Sequence, residues 1–172
     1  MTTHATATPW GPNLQHARYA TDETYALAAE WLHPCRSVDD WGGSGGYLRR
    51  FLGADVAYRV IDGTPQRHSQ VVADLRTFAE PAEGICLRHV LDINADWRAI
   101  LQNAVRAFRR RLVVVTFTPP AVVTTVVKLK SGWPVLHFHP QDLRDVMGAH
   151  LVAELEVETT HPEHLYLLER AS

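Results

Sequence analysis

The sequence contains little of what marks several common classes of protein. Its 172 residues include two cysteines, Cys35 and Cys86, which lie far apart and form neither a CxxC nor a CxxH pair. This spacing argues against a disulfide-stabilised scaffold and against a structural zinc site. The 17 lysines and arginines are balanced by 19 aspartates and glutamates, which leaves a formal net charge of -2. A strong positive field that would attract nucleic acid or an anionic membrane is therefore absent.

Two further absences concern membranes and secretion. No apolar run approaches the roughly 20 residues that cross a bilayer, and the N-terminus has neither the basic start nor the apolar core of a signal peptide. The composition, 46% hydrophobic and 21% charged, is typical of a globular protein, and the length fits one domain. We therefore expect a loose arm over residues 1–20 and a single cytoplasmic domain over residues 21–172, with no membrane partner.

Strands alternate with helices along most of the chain. Short apolar runs predict strands over residues 37–39, 56–61, 70–73, 84–87 and 112–117. Helical spacing predicts helices over residues 21–32, 97–108 and 140–147. We expect Asn94 to cap the second of these helices, and Arg106, Arg109, Arg110 and Arg111 to lie at its solvated C-terminal end.

The end of the chain has a different pattern. Residues 151–157 and 165–169 indicate a closing antiparallel hairpin, whereas the run 122–129 fits either a strand or a helix. Together these elements predict an α/β, doubly wound sheet with about five parallel strands and a terminal antiparallel pair. Ligands in such sheets bind outside the carboxyl ends of the strands.

A glycine-rich turn and two acids fall at these predicted strand ends. Residues 40–46 (DWGGSGG) contain four glycines in five positions, which predicts a tight turn that another group can approach closely. Asp62 ends the next strand and is suited to accept hydrogen bonds from ribose hydroxyls, and Asp74 ends the third. The pattern favours a nucleoside cofactor. It lacks the third glycine of G-x-G-x-x-G, because Leu48 stands there, and no Gly-Lys-Ser/Thr of a P-loop follows.

Residues 38–46 (VDDWGGSGG) resemble the first motif of class I S-adenosylmethionine-dependent methyltransferases, D-x-G-x-G-x-G, with Ser44 at the middle glycine. Asp62 matches that family's ribose-binding acid and Asp74 its adenine-side acid, and residues 88–92 resemble the segment after the fourth strand. The resemblance implies a Rossmann-like sheet of seven strands in the order 3-2-1-4-5-7-6, with the last strand antiparallel, between two layers of helices. It implies S-adenosylmethionine as the cofactor and S-adenosylhomocysteine as the product.

The sequence also departs from the family pattern. Ser44 is tolerable at a glycine position if its φ is negative. The link between Asp62 and Asp74 leaves room for about a single helical turn, with Thr64 as its cap. The D/N-P-P-Y signature of adenine methyltransferases is replaced by Leu87-Arg88-His89-Val90, which gives no support for methylation of DNA amino groups.

The resemblance assigns roles to residues at the strand ends. The predicted cofactor-binding residues are Asp40, Gly42, Gly43, Ser44, Gly46, Asp62, Gly63, Asp74, Leu75, Arg88 and His89. The candidates for a general base are His89, His137 and His139. We predict no metal site, because a His-x-His pair without a carboxylate cluster is a weak metal signal.

We therefore predict a methyltransferase that modifies a hydroxyl, nitrogen or carbon of a small metabolite or an exposed sugar, as a monomer or homodimer and without a nucleic-acid partner. The alternative is a catalytically silent binding or regulatory module with the same fold. The glycine turn with Asp62 favours the enzyme, and the missing catalytic signature keeps the alternative open.

Overall fold

A computed structural model of the chain describes residues 22–128, 134–158 and 162–170. The predicted N-terminal arm, the first residue of the helix predicted over 21–32, and residues 159–161 within the predicted hairpin lie outside the described residues. The strands are β1 (Ser37–Trp41), β2 (Ala57–Asp62), β3 (Val71–Val72), β4 (Ala82–Arg88), β5 (Phe108–Thr116), β6 (Thr125–Lys128), β7 (Pro134–His137), β8 (Leu151–Val157) and β9 (Glu163–Glu169). The α-helices are α1 (Glu23–Leu32), α2 (Trp97–Ala107) and α3 (Pro140–Met147), and 3₁₀ turns cover Tyr47–Arg50, Leu91–Ile93 and Gly148–His150.

Seven strands form one sheet in the order β3-β2-β1-β4-β5-β9-β8. The first five strands of this order run parallel, and β9 is antiparallel to both β5 and β8. Since β6 and β7 form a separate two-stranded sheet, β8 and β9 are the sixth and seventh strands of the main sheet. The predicted order 3-2-1-4-5-7-6 with an antiparallel last strand is confirmed.

Alternating side chains of the central strands pack against helices on opposite faces of the sheet. In β5, Leu112 and Val114 join the core beneath α2 and α3, whereas Val113 and Val115 join the core beneath α1. The same alternation in β9 sends Tyr166 and Leu168 to one core and Leu165 and Leu167 to the other. The near-continuous apolar run predicted for β5 is therefore that of a strand covered on both sides. The three-layer arrangement of helices, sheet and helices follows from it.

The boundary between α2 and β5 differs from the prediction. Helix α2 begins at Trp97 after Asp96, so Asn94 is not its cap; the Asn94 side chain instead donates to the carbonyl of Val90. The chain passes from Ala107 directly into β5, which places residues 109–111 on a strand and not at a helix end. No turn residue separates the two elements, and the helical spacing of apolar residues continues into the first residue of the strand. The sequence therefore does not show where the helix ends.

Of two other connections, the link after Asp62 departs from the prediction, and the run 122–129 follows one of its two predicted alternatives. Between Asp62 and β3 the chain forms bends and turns without the expected helical turn, and Thr64 donates from its backbone nitrogen and its hydroxyl to Asp62. The ambiguous run 122–129 supplies strand β6, which pairs with β7 in a hairpin inserted between β5 and α3. Trp97 packs edge-on against Phe138 at the base of this hairpin, with ring centroids 5.1 Å apart.

Among the described residues, no helix is long and apolar enough to span a membrane.

Candidate functional site

The glycine turn lies at the carboxyl edge of the sheet, between two strands whose connections leave in opposite directions. Strand β1 continues to Trp41, two residues beyond the prediction, because Asp40 and Trp41 pair with Val60 and Ile61 of β2. Gly42 follows with φ +74, and a Cβ there would lie 2.5 Å from Cγ2 of Val90, just after β4. The turns after β1 and β4 therefore meet at the topological switch point, where doubly wound sheets bind their ligands.

Ser44 does not meet the condition under which a serine is tolerable at this glycine position. Its φ is +43, in the left-handed region, and not negative. The Ser44 amide donates to Oδ2 of Asp62 at 3.3 Å, so the strained residue is held by the acid at the end of β2. This bond connects the glycine turn to Asp62 across 18 positions of sequence.

Asp62 is a partly buried carboxylate surrounded by hydrogen-bond donors. Besides Ser44, the backbone nitrogen of Thr64 donates to its Oδ1 at 3.1 Å and the Thr64 hydroxyl at 3.3 Å. Burial nevertheless raises the pKa of Asp62 above its usual value, since desolvation outweighs these bonds. A further donor from a ligand would therefore be favourable here. Gly63, also predicted to bind the cofactor, is exposed immediately after it.

Asp40 lies beneath the turn and is almost inaccessible. Its Oδ2 accepts a hydrogen bond of 2.5 Å from the Tyr58 hydroxyl on β2. Burial raises the pKa of Asp40 to about 6, against the opposing effects of Tyr58 and the Arg88 charge. A Cβ on Gly43 would lie 2.4 Å from Oδ2 of Asp40. Close packing against the Asp40 carboxylate therefore explains the glycine at position 43.

Asp74 and Leu75 are anchored from the side of α2. Arg76 pairs with both oxygens of Asp74, at 2.6 Å for the shortest contact, and also with Asp96 before α2. This hydrogen-bonded pairing with Arg76 lowers the pKa of Asp74. Leu75 is buried in the core, and its carbonyl accepts a hydrogen bond of 2.9 Å from Asn103.

Arg88 and His89 end β4 in a buried polar cluster with Glu163, the first residue of β9. The Arg88 guanidinium donates to Oε1 of Glu163 at 3.1 Å and to the Thr24 hydroxyl of α1 at 3.1 Å, and it lies 3.9 Å from the centre of the Tyr25 ring. The His89 Nε2 atom contacts the same Oε1. Arg88, predicted as a cofactor contact, is thus engaged in an ion pair under α1.

His89 combines burial with backbone strain. Its φ is +58, and Ser44 and His89 are the two non-glycine residues with positive φ among those described. Such strain is held at functional sites when the surroundings fix it, and here the His89 amide donates to the carbonyl of Val115 at 2.9 Å. Burial lowers the pKa of His89, although Glu163 acts in the opposite direction. The imidazole is therefore neutral at neutral pH.

The strand order, the inserted glycine turn and the acid after β2 all agree with one architecture. The chain has the class I methyltransferase fold. A 1,6-didemethyltoxoflavin N1-methyltransferase from Burkholderia thailandensis, solved with 1,6-didemethyltoxoflavin and S-adenosylhomocysteine, aligns with a TM-score of 0.68 over 88% of this chain and 80% of that chain, at 14% identity.

Two further methyltransferase structures are similar. The N-methyltransferase NodS from Bradyrhizobium japonicum, in complex with S-adenosylhomocysteine, aligns with a TM-score of 0.65 over 96% of this chain and 94% of that chain, at 14% identity. Magnesium protoporphyrin IX methyltransferase from Synechocystis PCC 6803, with bound S-adenosylmethionine, gives a TM-score of 0.63 at 14% identity, over 87% of this chain and 79% of that chain. No protein-family model matches the sequence, and no curated protein matches it significantly.

In this methyltransferase fold, the other two candidate bases lie on the inserted hairpin and its exit. His137 ends β7 and His139 precedes α3, where its amide donates to the Thr124 hydroxyl at 2.9 Å. Their intervening neighbour Phe138 is buried in the core, whereas both histidines are partly exposed. Within the described residues, neither histidine shares a hydrogen bond or ion pair with His89, and no group of three metal-ligating side chains occurs.

Glu163 was not predicted from the sequence, and Asp92 was predicted only as part of the segment 88–92, without a role of its own. Glu163 is fully buried against Arg88, from which it is separated by 75 positions, and no local pattern signals such a contact. Asp92 is fully buried after β4, where its Oδ1 accepts from the amides of Phe117 and Thr118 at 2.9 and 3.2 Å. Asp92 lies in the 3₁₀ turn Leu91–Ile93, and the acceptor role of its side chain depends on the end of β5, which is distant in sequence.

Proposed function

We propose that this chain is a methyltransferase that binds S-adenosylmethionine across the turns after β1 and β4. The observation that carries the proposal is Asp62, a desolvated carboxylate bonded to the glycine turn at the switch point of a sheet with the methyltransferase strand order. The similar structures with bound S-adenosylmethionine or S-adenosylhomocysteine support the choice of cofactor.

The residues present fit this cofactor. The ribose hydroxyls need an acceptor that remains partly accessible, and Asp62 is one: ionised carboxylates offer about four acceptor positions, and the Thr64 hydroxyl bond of 3.3 Å is long enough to be exchanged. The adenine amino group is expected near Asp74. The methionine portion is expected against the bare backbone of Gly42 and Gly46, beside Val90.

The glycines by themselves are a weaker argument for a ligand. The positions that side chains of Gly42, Gly43 and Gly45 would occupy are filled by Val90, Asp40 and Tyr47 of the protein itself. These contacts explain the glycines through internal packing. The case for the cofactor therefore depends on Asp62 and on its place in the sheet.

The cofactor supplies an activated methyl group on a sulfonium, so the protein mainly needs to position the acceptor and remove its proton. His89 is the favoured base because it is neutral, strained and next to Val90 of the cofactor edge. His137 and His139, on the hairpin exit, remain alternatives. We propose a small-molecule acceptor, by analogy with similar structures named for toxoflavin and porphyrin substrates.

The test is isothermal titration calorimetry of the purified protein with S-adenosylmethionine and S-adenosylhomocysteine, followed by a methyl-release assay with a panel of hydroxyl and amine acceptors. We expect saturable binding of both ligands and turnover of S-adenosylmethionine with an acceptor. Failure to bind either ligand would contradict the proposal. Binding without turnover on any acceptor would favour the catalytically silent module.

A further inference from the structure

A cleft opens on the face of β2 that lies on the side of α1. Its floor is formed by Tyr58 and Val60, which alternate along β2 with Ile61 and therefore point away from the core beneath α2. One wall is the turn 45–50, and the other is the link between β2 and β3. The cleft has a volume of about 570 Å³, which is within the range of small-molecule sites. Asp62 does not line it, so the cleft is separate from the proposed cofactor contact.

The rim of the cleft presents hydrogen-bond donors. The side-chain oxygen of Gln70 accepts from the Val60 amide at 2.5 Å, which leaves the Gln70 NH₂ group to donate to a ligand. Arg50 is exposed on the other wall, where its guanidinium carbon lies 5.9 Å from the centre of the Phe51 ring. His68 is also exposed and adds a ring N–H. Among the described residues, neither Arg50 nor His68 forms an ion pair with a carboxylate.

Positive charge in the cleft is not balanced by a lining acid. No aspartate or glutamate within the described ranges lines it, and Asp40 accepts the Tyr58 hydroxyl bond from outside the lining. The Arg49 guanidinium donates to three backbone carbonyls of residues 53–56 at 3.0–3.1 Å, so it braces the wall and keeps its charge there. A cleft with donors and positive charge but no lining acid is complementary to an anion.

We propose that this cleft is a second binding site, for a small molecule that combines an apolar, ring-containing body with one acidic group such as a carboxylate, phosphate or sulfonate. The body rests on the side chains of Tyr47, Val56 and Tyr58, which line the cleft. The acidic group accepts hydrogen bonds from the Arg50 guanidinium and the Gln70 NH₂ group. The inference does not depend on methyl transfer, because none of the proposed bases lines the cleft.

The probe for this site is anilinonaphthalene sulfonate, which carries aromatic rings and one sulfonate and fluoresces more strongly on leaving water. We expect saturable binding of one molecule per chain in a fluorescence titration. Phenylnaphthylamine has the same ring skeleton without the sulfonate, and we expect it to bind about tenfold more weakly or worse, because it cannot use the donors of the rim. Absence of saturable binding, or equal affinity for the two probes, would overturn the inference.

Two substitutions place the binding in the cleft. We expect Arg50→Glu and Gln70→Glu each to weaken binding of the sulfonate about tenfold or more, and to leave binding of the neutral probe unchanged. Arg98→Glu is the matched control, since Arg98 is also exposed and its guanidinium carbon lies 4.7 Å from the centre of the Trp97 ring, on α2. Unchanged affinity in either cleft variant, or an equal loss in Arg98→Glu, would overturn the inference. Circular dichroism checks the fold, and either cleft variant decides the question if the other does not fold.

Discussion

Among the described residues, neither of the buried carboxylates Asp40 and Asp92 has a cationic hydrogen-bond partner. Asp40 accepts a hydrogen bond from the Tyr58 hydroxyl. Oδ1 of Asp92 accepts hydrogen bonds from the amides of Phe117 and Thr118 and from the Thr118 hydroxyl. In the part of the chain that the structure describes, Oδ2 of Asp92 is closed to solvent and has no hydrogen-bond partner. Burial raises the pKa of Asp92 to about 7 and that of Asp40 to about 6.

These shifts predict how stability depends on pH. Because the folded pKa of Asp92 is above its unfolded value of 3.8, its stabilising contribution is complete below pH 4 and is lost as the pH rises to about 7. We expect urea unfolding to show that Asp92→Asn loses less stability than wild type between pH 5 and pH 7.5, by roughly 2 kcal/mol. Asp40 contributes equally in both proteins, so the difference isolates Asp92. An identical pH dependence would show that Asp92 is ionised throughout.

Residue-scale chemistry was only partly predictable. Asp62 was identified from its place at a strand end, and the structure connects it to the glycine turn through Ser44. The condition of a negative φ at Ser44 is not met, because the bond from its amide to Asp62 holds the residue in the left-handed region. Glu163 was not predicted, since its contact with His89 depends on the antiparallel return of β9 to the end of β5.

At the scale of elements, the glycine turn is the clearest case of close packing between connections. Gly42 requires both a positive φ and room for Val90, and an added Cβ would lie 2.5 Å from Val90 Cγ2. Gly148, at the end of α3, has φ +59 with no atom within 4 Å of an added Cβ. Both positions have a positive φ, but only Gly42 also has a close neighbour, so comparing them distinguishes the effect of backbone strain from that of steric contact.

We expect Gly42→Ala and Gly148→Ala each to lower the free energy of unfolding by about 1 kcal/mol or more, because alanine is strained at a positive φ. Gly42→Ala should cost roughly a further 1–3 kcal/mol because Val90 must move. Urea unfolding of the two variants in parallel measures this difference. Equal losses would mean that Val90 relaxes without cost and that packing does not fix the turn.

The prediction of elements succeeded where one period of apolar residues was bounded by turn signals. Helix α1 ends at Leu32, before His33-Pro34, and α3 begins at Pro140 and ends before Gly148, as the sequence indicates. It failed at the junction of α2 and β5, where no loop intervenes. The hairpin of β6 and β7 could not be distinguished from a helix, because valines fill both alternating and helical positions of a short run.

At the scale of the whole molecule, the chain is a reduced version of its fold. Within the described range 22–128, a 3₁₀ turn alone follows β1 and no helix follows β2, so the face of β2 on the side of α1 is incompletely covered. A cleft of about 570 Å³ opens there, lined by residues that include Gly46, Arg50, Tyr58 and His68. The cleft lies beside the glycine turn, and its lining does not include the described residues Asp62 and Val90.

The strand order was predictable at this scale because the glycine turn, Asp62 and the closing hairpin occur in the order that the methyltransferase pattern requires. The missing helices were only partly predictable. The short link after Asp62 showed that little helix could form there, but the bonds from Thr64 to Asp62 that replace it are visible only in the folded chain.

The most direct test of the account is the affinity for S-adenosylhomocysteine of Asp62→Ala, measured by calorimetry beside wild type. We expect binding to weaken by about 1–3 kcal/mol, or roughly 5- to 150-fold, because buried ribose hydroxyls would lose a charged acceptor. Asp145→Ala is the control, since Asp145 is an exposed acid on α3 bonded to Gln141. Unchanged affinity in Asp62→Ala, or an equal loss in Asp145→Ala, would contradict the placement of the cofactor.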